Sequence, residues 1–125
     1  MNRLTMVEFP SSDAHSSAEF FRAAFGWEHL AYGPHYTDVQ LDNEQTLGFQ
    51  EDTAEAPPRP LTIIEVDDLD ATMSAVEAAH GVITVPPFDF PGGRRFHFRE
   101  PGGNELAAGR AQVRDPTPSC SKVGL

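Results

Sequence analysis

Residues Gly92–Leu106, GGRRFHFREPGGNEL, decide how this chain is read. Phe96 and Phe98 alternate with Arg95, His97 and Arg99, the period of two that gives a β-strand one apolar and one polar face. Glu100-Pro101-Gly102-Gly103-Asn104 then supplies a fixed φ at the proline, two positions tolerant of positive φ, and an asparagine that can hydrogen-bond within its own turn. Glu105 and Leu106 open the next strand. The stretch therefore predicts strand, tight turn, strand.

Working outward, the same plan is met twice. Leu4–Phe9 (LTMVEF) reads as a strand, Ser12 or Asp13 as a helix N-cap, and Ala18, Phe21 and Phe25 as the buried stripe of the helix that follows. Gly26 suits the left-handed stop of that helix. Strands are predicted at 27–32, 36–41 and 46–50, punctuated by Gly33-Pro34 and Asp42-Asn43. EDTAEAPPRP, residues 51–60, is charged, proline-rich and aperiodic, as a linker is. Leu61–Val66 (LTIIEV) then restarts the pattern, with Asp67 or Asp68 as N-cap, Leu69, Met73 and Val76 as the helix stripe and Gly81 as its stop. Strands at 82–85, 95–99 and 104–108 complete a second βαβββ unit. A lone unit of this kind covers one sheet face with its helix and leaves the other bare, so two units side by side give a cleft.

The FHFREPGGN run resembles the closing hairpin of the vicinal oxygen chelate superfamily (glyoxalases, extradiol dioxygenases, fosfomycin and bleomycin resistance proteins). There an aromatic strand enters a DPxGN turn; here Glu100 stands in place of the Asp. The resemblance implies an α+β fold of two βαβββ modules, about 3–50 and 60–109 with a linker at 51–59, curled into a sheet cleft. One domain then covers residues 1–110, and 111–125 form a C-terminal extension, read as docked on another surface, a second subunit being one option. Homodimers are common in that superfamily, and one is expected here.

Length and charge narrow the function. A chain of 125 residues is long enough to bury roughly two-thirds of its unfolded surface. No apolar run approaches the roughly 20 residues that span a bilayer, and the N-terminus lacks a signal-peptide profile, so no membrane partner and a cytoplasmic location are expected. The lone Cys120 cannot form an internal disulfide. A net charge of −10 makes nucleic acid a poor partner, because phosphates need clustered Lys and Arg; it attracts cations instead.

Alternation sorts the strands. Val7, Phe9, Ile64, Val66, Phe96 and Phe98 are expected under the helices. The expected ligand-binding set on the other face is Met6, Glu8, Tyr36, Gln50, Leu61, Ile63, Glu65, Arg95, His97 and Glu105, with Asp38, Gln40 and Ala107 beside them. His97 is the candidate for catalysis, since its pKa lies near working pH. It stands where fosfomycin-modifying relatives place a ligand-contacting Tyr. Glu8 and Glu65 are expected to meet as like charges. His15, His29, His35 and His80 belong to no motif.

The resemblance implies a divalent metal held by the first and last strands of each half. Those positions fall on Met6, Leu61, Thr46 and Ala107, or, shifted by two, on Glu8, Ile63, Gly48 and Glu105. The first set contains no competent ligand for a hard or borderline cation. A displaced set from Glu8, Glu65, His97 and Glu105 is the alternative. The expectation is no metal and no cofactor, and a protein that binds and sequesters a small molecule in the cleft, a cationic one suiting the acidity. The competing expectations are a glyoxalase-type lyase or isomerase, and a surface for a protein partner.

Overall fold

A computed structural model describes residues 2–111. The elements are β1 (Arg3–Pro10), α1 (Ala14–Phe25), β2 (His29–Ala31), β3 (Tyr36–Gln40), β4 (Thr46–Gln50), β5 (Leu61–Glu65), α2 (Leu69–Ala78), β6 (Val82–Phe90), β7 (Gly93–Arg99) and β8 (Glu105–Ala111). They fall into two compact units, residues 5–61 and residues 62–111 with 2–4. Each unit has the same topology. In the first, strand order is β2-β3-β4-β1; in the second, it is β6-β7-β8-β5. The opening strand pairs parallel with the closing one, β1 with β4 and β5 with β8, and the remaining pairs are antiparallel. This is the expected α+β fold of two βαβββ modules. The C-terminal extension after Ala111, with Cys120 and its expected docking, lies outside the described residues.

In the first unit α1 begins at Asp13, whose carboxylate accepts the Ser16 N–H at 3.0 Å, and stops at Gly26 with φ 80°. Ala14, Ala18, Val39 and Phe49 form its core, with Phe9, Phe21 and Trp27 packed around them. Phe25, expected in the buried stripe, is instead 59% exposed. It is the last helical residue, and it stacks on Trp27 with ring centroids 5.1 Å apart. Glu51 ties the end of β4 to the start of α1: its carboxylate accepts the Ala14 N–H at 2.6 Å, an orphan donor of the first turn.

Glu19 joins α1 to β2, bonding Arg22 at 2.7 Å and His29 Nε2 at 2.8 Å. Arg22 first, then His29, lowers the Glu19 carboxyl from its ordinary 4.5 to about 2. A depressed carboxyl stabilises the fold above its unfolded pKa and loses that contribution as pH falls. The Tm difference between wild type and Glu19→Gln is therefore expected to shrink from pH 4.5 down to about 2, and to narrow with salt, since these groups face water. Melting curves across that range check it; a difference that grows on acidification would refute it.

In the second unit Asp68 caps α2 through the Ala71 N–H at 3.0 Å. Val66, Leu69, Phe96 and Ala108 make its core, with Ile64, Met73, Val76, Ile83 and Phe98 packed against them. The α2 stop differs from expectation. His80, not Gly81, takes the left-handed conformation, with φ 75°. Gly81 is required for space: a Cβ there would lie 2.7 Å from Val76 Cγ1. β6 also runs five residues beyond the expected Val85, through Pro86 and Pro87. It tolerates them as the outer strand of its unit, with register shifts between Ile83 and Val85 and between Val85 and Phe88. In the hairpin turn the Glu100 carboxylate accepts the Gly102 N–H at 2.6 Å, the Asn104 N–H at 3.2 Å and the Asn104 side-chain amide. These bonds, led by Gly102, hold its carboxyl below the ordinary value, so the longer acid performs the cap.

Candidate ligand-binding site

The polar face of the second unit is built by β6, β7 and β8. Cross-strand register places Val85 beside His97 and His97 beside Ala107, with Phe88 beside Arg95. Because Phe96 is fully buried under α2, its neighbours Arg95 and His97 point to the opposite side, as alternation requires. The two shifts in β6 each insert extra residues, which re-aims side chains. Thr84 is the extra residue of the first, and its hydroxyl donates to Glu105 Oε2 at 2.7 Å. The second brings Phe88 opposite Arg95, where the guanidinium lies 5.6 Å from the Phe88 ring and 5.3 Å from that of Phe90.

His97 sits among these groups with its side chain 16% exposed. Nδ1 lies 3.7 Å from the oxygen of Glu105 that Thr84 holds, beyond hydrogen-bond length but within strong electrostatic reach. Nε2 is buried without a hydrogen-bond partner among the described residues. Burial, and then the Arg95 charge, lower the His97 pKa below its usual 6.5 despite the opposing pull of Glu105.

The first unit presents its own polar face. Register sets Asp38, Gly48 and Glu8 in one row, Tyr36, Gln50 and Pro10 in the next, and Gln40, Thr46 and Met6 in a third. Glu8 and Asp38 are 6% and 3% exposed, unusually low for carboxylates. Gly48 leaves the space between them for Tyr36: a Cβ there would fall 2.1 Å from Tyr36 Oη and 3.2 Å from Met6 Cε. The Tyr36 hydroxyl donates to Met6 Sδ at 3.8 Å. In the second unit Glu65 is paired with Arg3 at 3.2 Å.

Met6 and Thr46 are register partners, and Ala107 is the partner of Ile63, not of Leu61. The row equivalent to Met6–Thr46 in the second unit is therefore Ile63–Ala107. Met6, Ile63, Leu61 and Ala107 are all at most 3% exposed, and the Met6 sulfur already accepts from Tyr36. A thioether, a hydroxyl and hydrocarbon do not fit a divalent cation. Nor does any group of three or more His, Cys, Asp and Glu suited to a metal occur among the described residues, the displaced set included.

A family model of the glyoxalase/bleomycin resistance protein/dioxygenase superfamily matches residues 3–108. The chain belongs to that superfamily. A superfamily member from Vibrio splendidus superposes with TM-score 0.68 at 17% identity, over 88% of this chain and 99% of the other. Methylmalonyl-CoA epimerase from Mycobacterium tuberculosis gives 0.69 at 12%, over 89% of each chain. The Mn(II)-bound glyoxalase from Novosphingobium aromaticivorans gives 0.65 at 18%, over 92% of this chain and 43% of the other. At these identities the superfamily likeness is one of fold. No curated protein matches the chain in sequence. Among the described residues, no helix is long and apolar enough to cross a membrane.

Of the expected residues, Arg95, His97 and Glu105 share one face of the second unit, and Met6, Glu8, Tyr36 and Gln50 one face of the first. Thr84, Phe88 and Phe90 were not expected there. Pro86-Pro87 within an apolar run was the signal that a bulged outer strand continued through them. A hollow of about 450 Å³ in the second unit lies elsewhere, at the start of α2. Arg94, which lines it, is already bound to Asp89 at 2.9 Å.

Proposed function

We propose that this superfamily member binds and sequesters a small cationic molecule on the polar faces of its modules, without a divalent metal. The observation that carries the reading is the filling of the superfamily's ligand positions by buried Met6, Ile63 and Ala107 and by the hydroxyl of Thr46, with Leu61 equally unable to ligate. The first unit's face carries two buried carboxylates, Glu8 and Asp38, and the second unit's carries His97, whose Nε2 has no hydrogen-bond partner among the described residues. One carboxylate about 4 Å from a cation supplies up to about 4 kcal/mol of gross attraction at an effective dielectric near 20. A homodimer and a cytoplasmic setting belong to the same proposal.

The test is metal analysis of purified protein together with melting curves in EDTA and in benzylamine. Metal well below one ion per chain, no change in Tm with EDTA, and a Tm that rises with benzylamine are expected. Ligand at a hundred times its Kd adds about 2.7 kcal/mol, a shift of several degrees. Stoichiometric Ni, Zn, Mn or Fe whose removal lowers Tm would overturn the reading. The enzymatic alternative, a glyoxalase-type lyase or isomerase, draws on His97 as a proton acceptor; it would replace sequestration if a bound small molecule were recovered chemically altered.

A further inference from the structure

We propose that the outer face of α1 is where two copies of this chain meet, with Phe20 of each copy seated on Ala23 and Ala24 of the other. The inference goes beyond the small-molecule reading and rests on it only for the homodimer.

The doubled plan supplies its own control. Counted from the caps Asp13 and Asp68, Phe21 of α1 corresponds to Val76 of α2, and each packs against the core of its unit. On the same count Phe20 corresponds to Ala75 and Phe25 to His80. Ala75 and His80 are exposed, and the second unit folds with them. The βαβββ plan therefore needs no aromatic ring at either place. Yet Phe20 is 61% exposed and Phe25 59%. Single exposed apolar side chains are ordinary, but these two belong to one row of rings. Phe20 meets Phe21 edge-on at 5.1 Å, Phe21 stacks on Phe25 at 5.9 Å, and Phe25 on Trp27 at 5.1 Å. Ala23 and Ala24, both exposed, lie one turn on from Phe20 and leave a shallow seat beside it.

Charge decides the occupant. The chain carries −10, so two copies repel wherever acidic surfaces face each other. α1 holds one acid, Glu19, and one base, Arg22, whereas α2 holds Asp70 and Glu77 with no base. Glu28, just past the α1 stop, adds an acid that Arg22 also faces. The outer face of α1 is thus close to neutral in a strongly acidic chain. Across a two-fold axis perpendicular to α1 the two helices run antiparallel, and the patch meets its own copy. Phe20 of one then lies over the small residues of the other. Glu19 approaches the other copy's Arg22, and the helix dipoles oppose.

The test is sedimentation equilibrium of the full chain from micromolar to millimolar concentration. Wild type is compared with a double variant, Phe20→Ala with Phe25→His, which takes the residues that the second unit uses. A dimer is expected for wild type, and association at least tenfold weaker for the variant, whose circular dichroism and melting establish its fold. As a second readout, Ala23→Cys in a Cys120→Ser background is expected to give cross-linked dimer with a short bis-maleimide, and Ala75→Cys none. If the double variant unfolds, the cross-link decides. Equal association of variant and wild type, or cross-linking from Ala75→Cys alone, would overturn the inference and leave the homodimer standing. A wild type that stays monomeric throughout would overturn both and leave cation binding untouched. Were that monomer to bind phosphatidylcholine vesicles through Phe20, the face would belong to a lipid surface instead.

Discussion

Phe96→Ala is expected to remove about 3–5 kcal/mol of stability, the usual cost of deleting a fully buried aromatic ring. Phe96 is 0% exposed and packs with Val66, Leu69 and Ala108 beneath α2, with the Phe98 ring 5.9 Å away. A domain of this size has only about 5–15 kcal/mol in hand, so the variant melts at much lower temperature or does not fold at physiological temperature. Urea unfolding measures it, with the slope unchanged if the denatured state is the same. Phe98→Ala, at a partly buried position of the same core, is expected to cost less. A loss below about 1 kcal/mol for Phe96→Ala would mean that α2 does not close over this ring.

Gly48→Ala is expected to cost about 1–3 kcal/mol, through overpacking and not through backbone strain. The added carbon would meet Tyr36 Oη at 2.1 Å, and Tyr36 is itself only 6% exposed and bonded to Met6. Tyr36→Phe removes the obstructing oxygen and leaves Cζ 3.0 Å from the new methyl. The double variant is therefore expected to be more stable than the sum of the two single losses predicts, the signature of coupled neighbours. Additive losses in thermal or urea unfolding would show that Gly48 is needed for another reason. The result bears on function, because the Tyr36 hydroxyl occupies the space between Glu8 and Asp38 in their row.

Strand alternation carried most of the site assignment, and it held wherever pairing was regular. Phe96 and Phe98 went beneath α2, and Arg95 and His97 to the other side, because the pleat leaves neighbouring side chains no choice. The rule lost its grip at β6. There two prolines and two register shifts break the period, and Thr84, Phe88 and Phe90 joined the site unannounced. Gly81 illustrates the same limit at a helix end: its residue type was legible as a stop, but the left-handed turn passed to His80, and crowding by Val76 explains the glycine.

The amino-acid sequence alone determined the doubled βαβββ plan, the caps at Asp13 and Asp68, the Glu100 turn and the absence of metal-binding side chains at Met6, Thr46, Leu61 and Ala107. These depend on residue type and on spacing within a few positions, and local rules reach that far. Only the tertiary structure decided that Ile63, and not Leu61, stands beside Ala107, that Arg3 takes up Glu65, and that Glu105, held by Thr84, lies beside His97. Each of those depends on the register between strands far apart in the chain, where a shift of one or two residues changes which side chains meet.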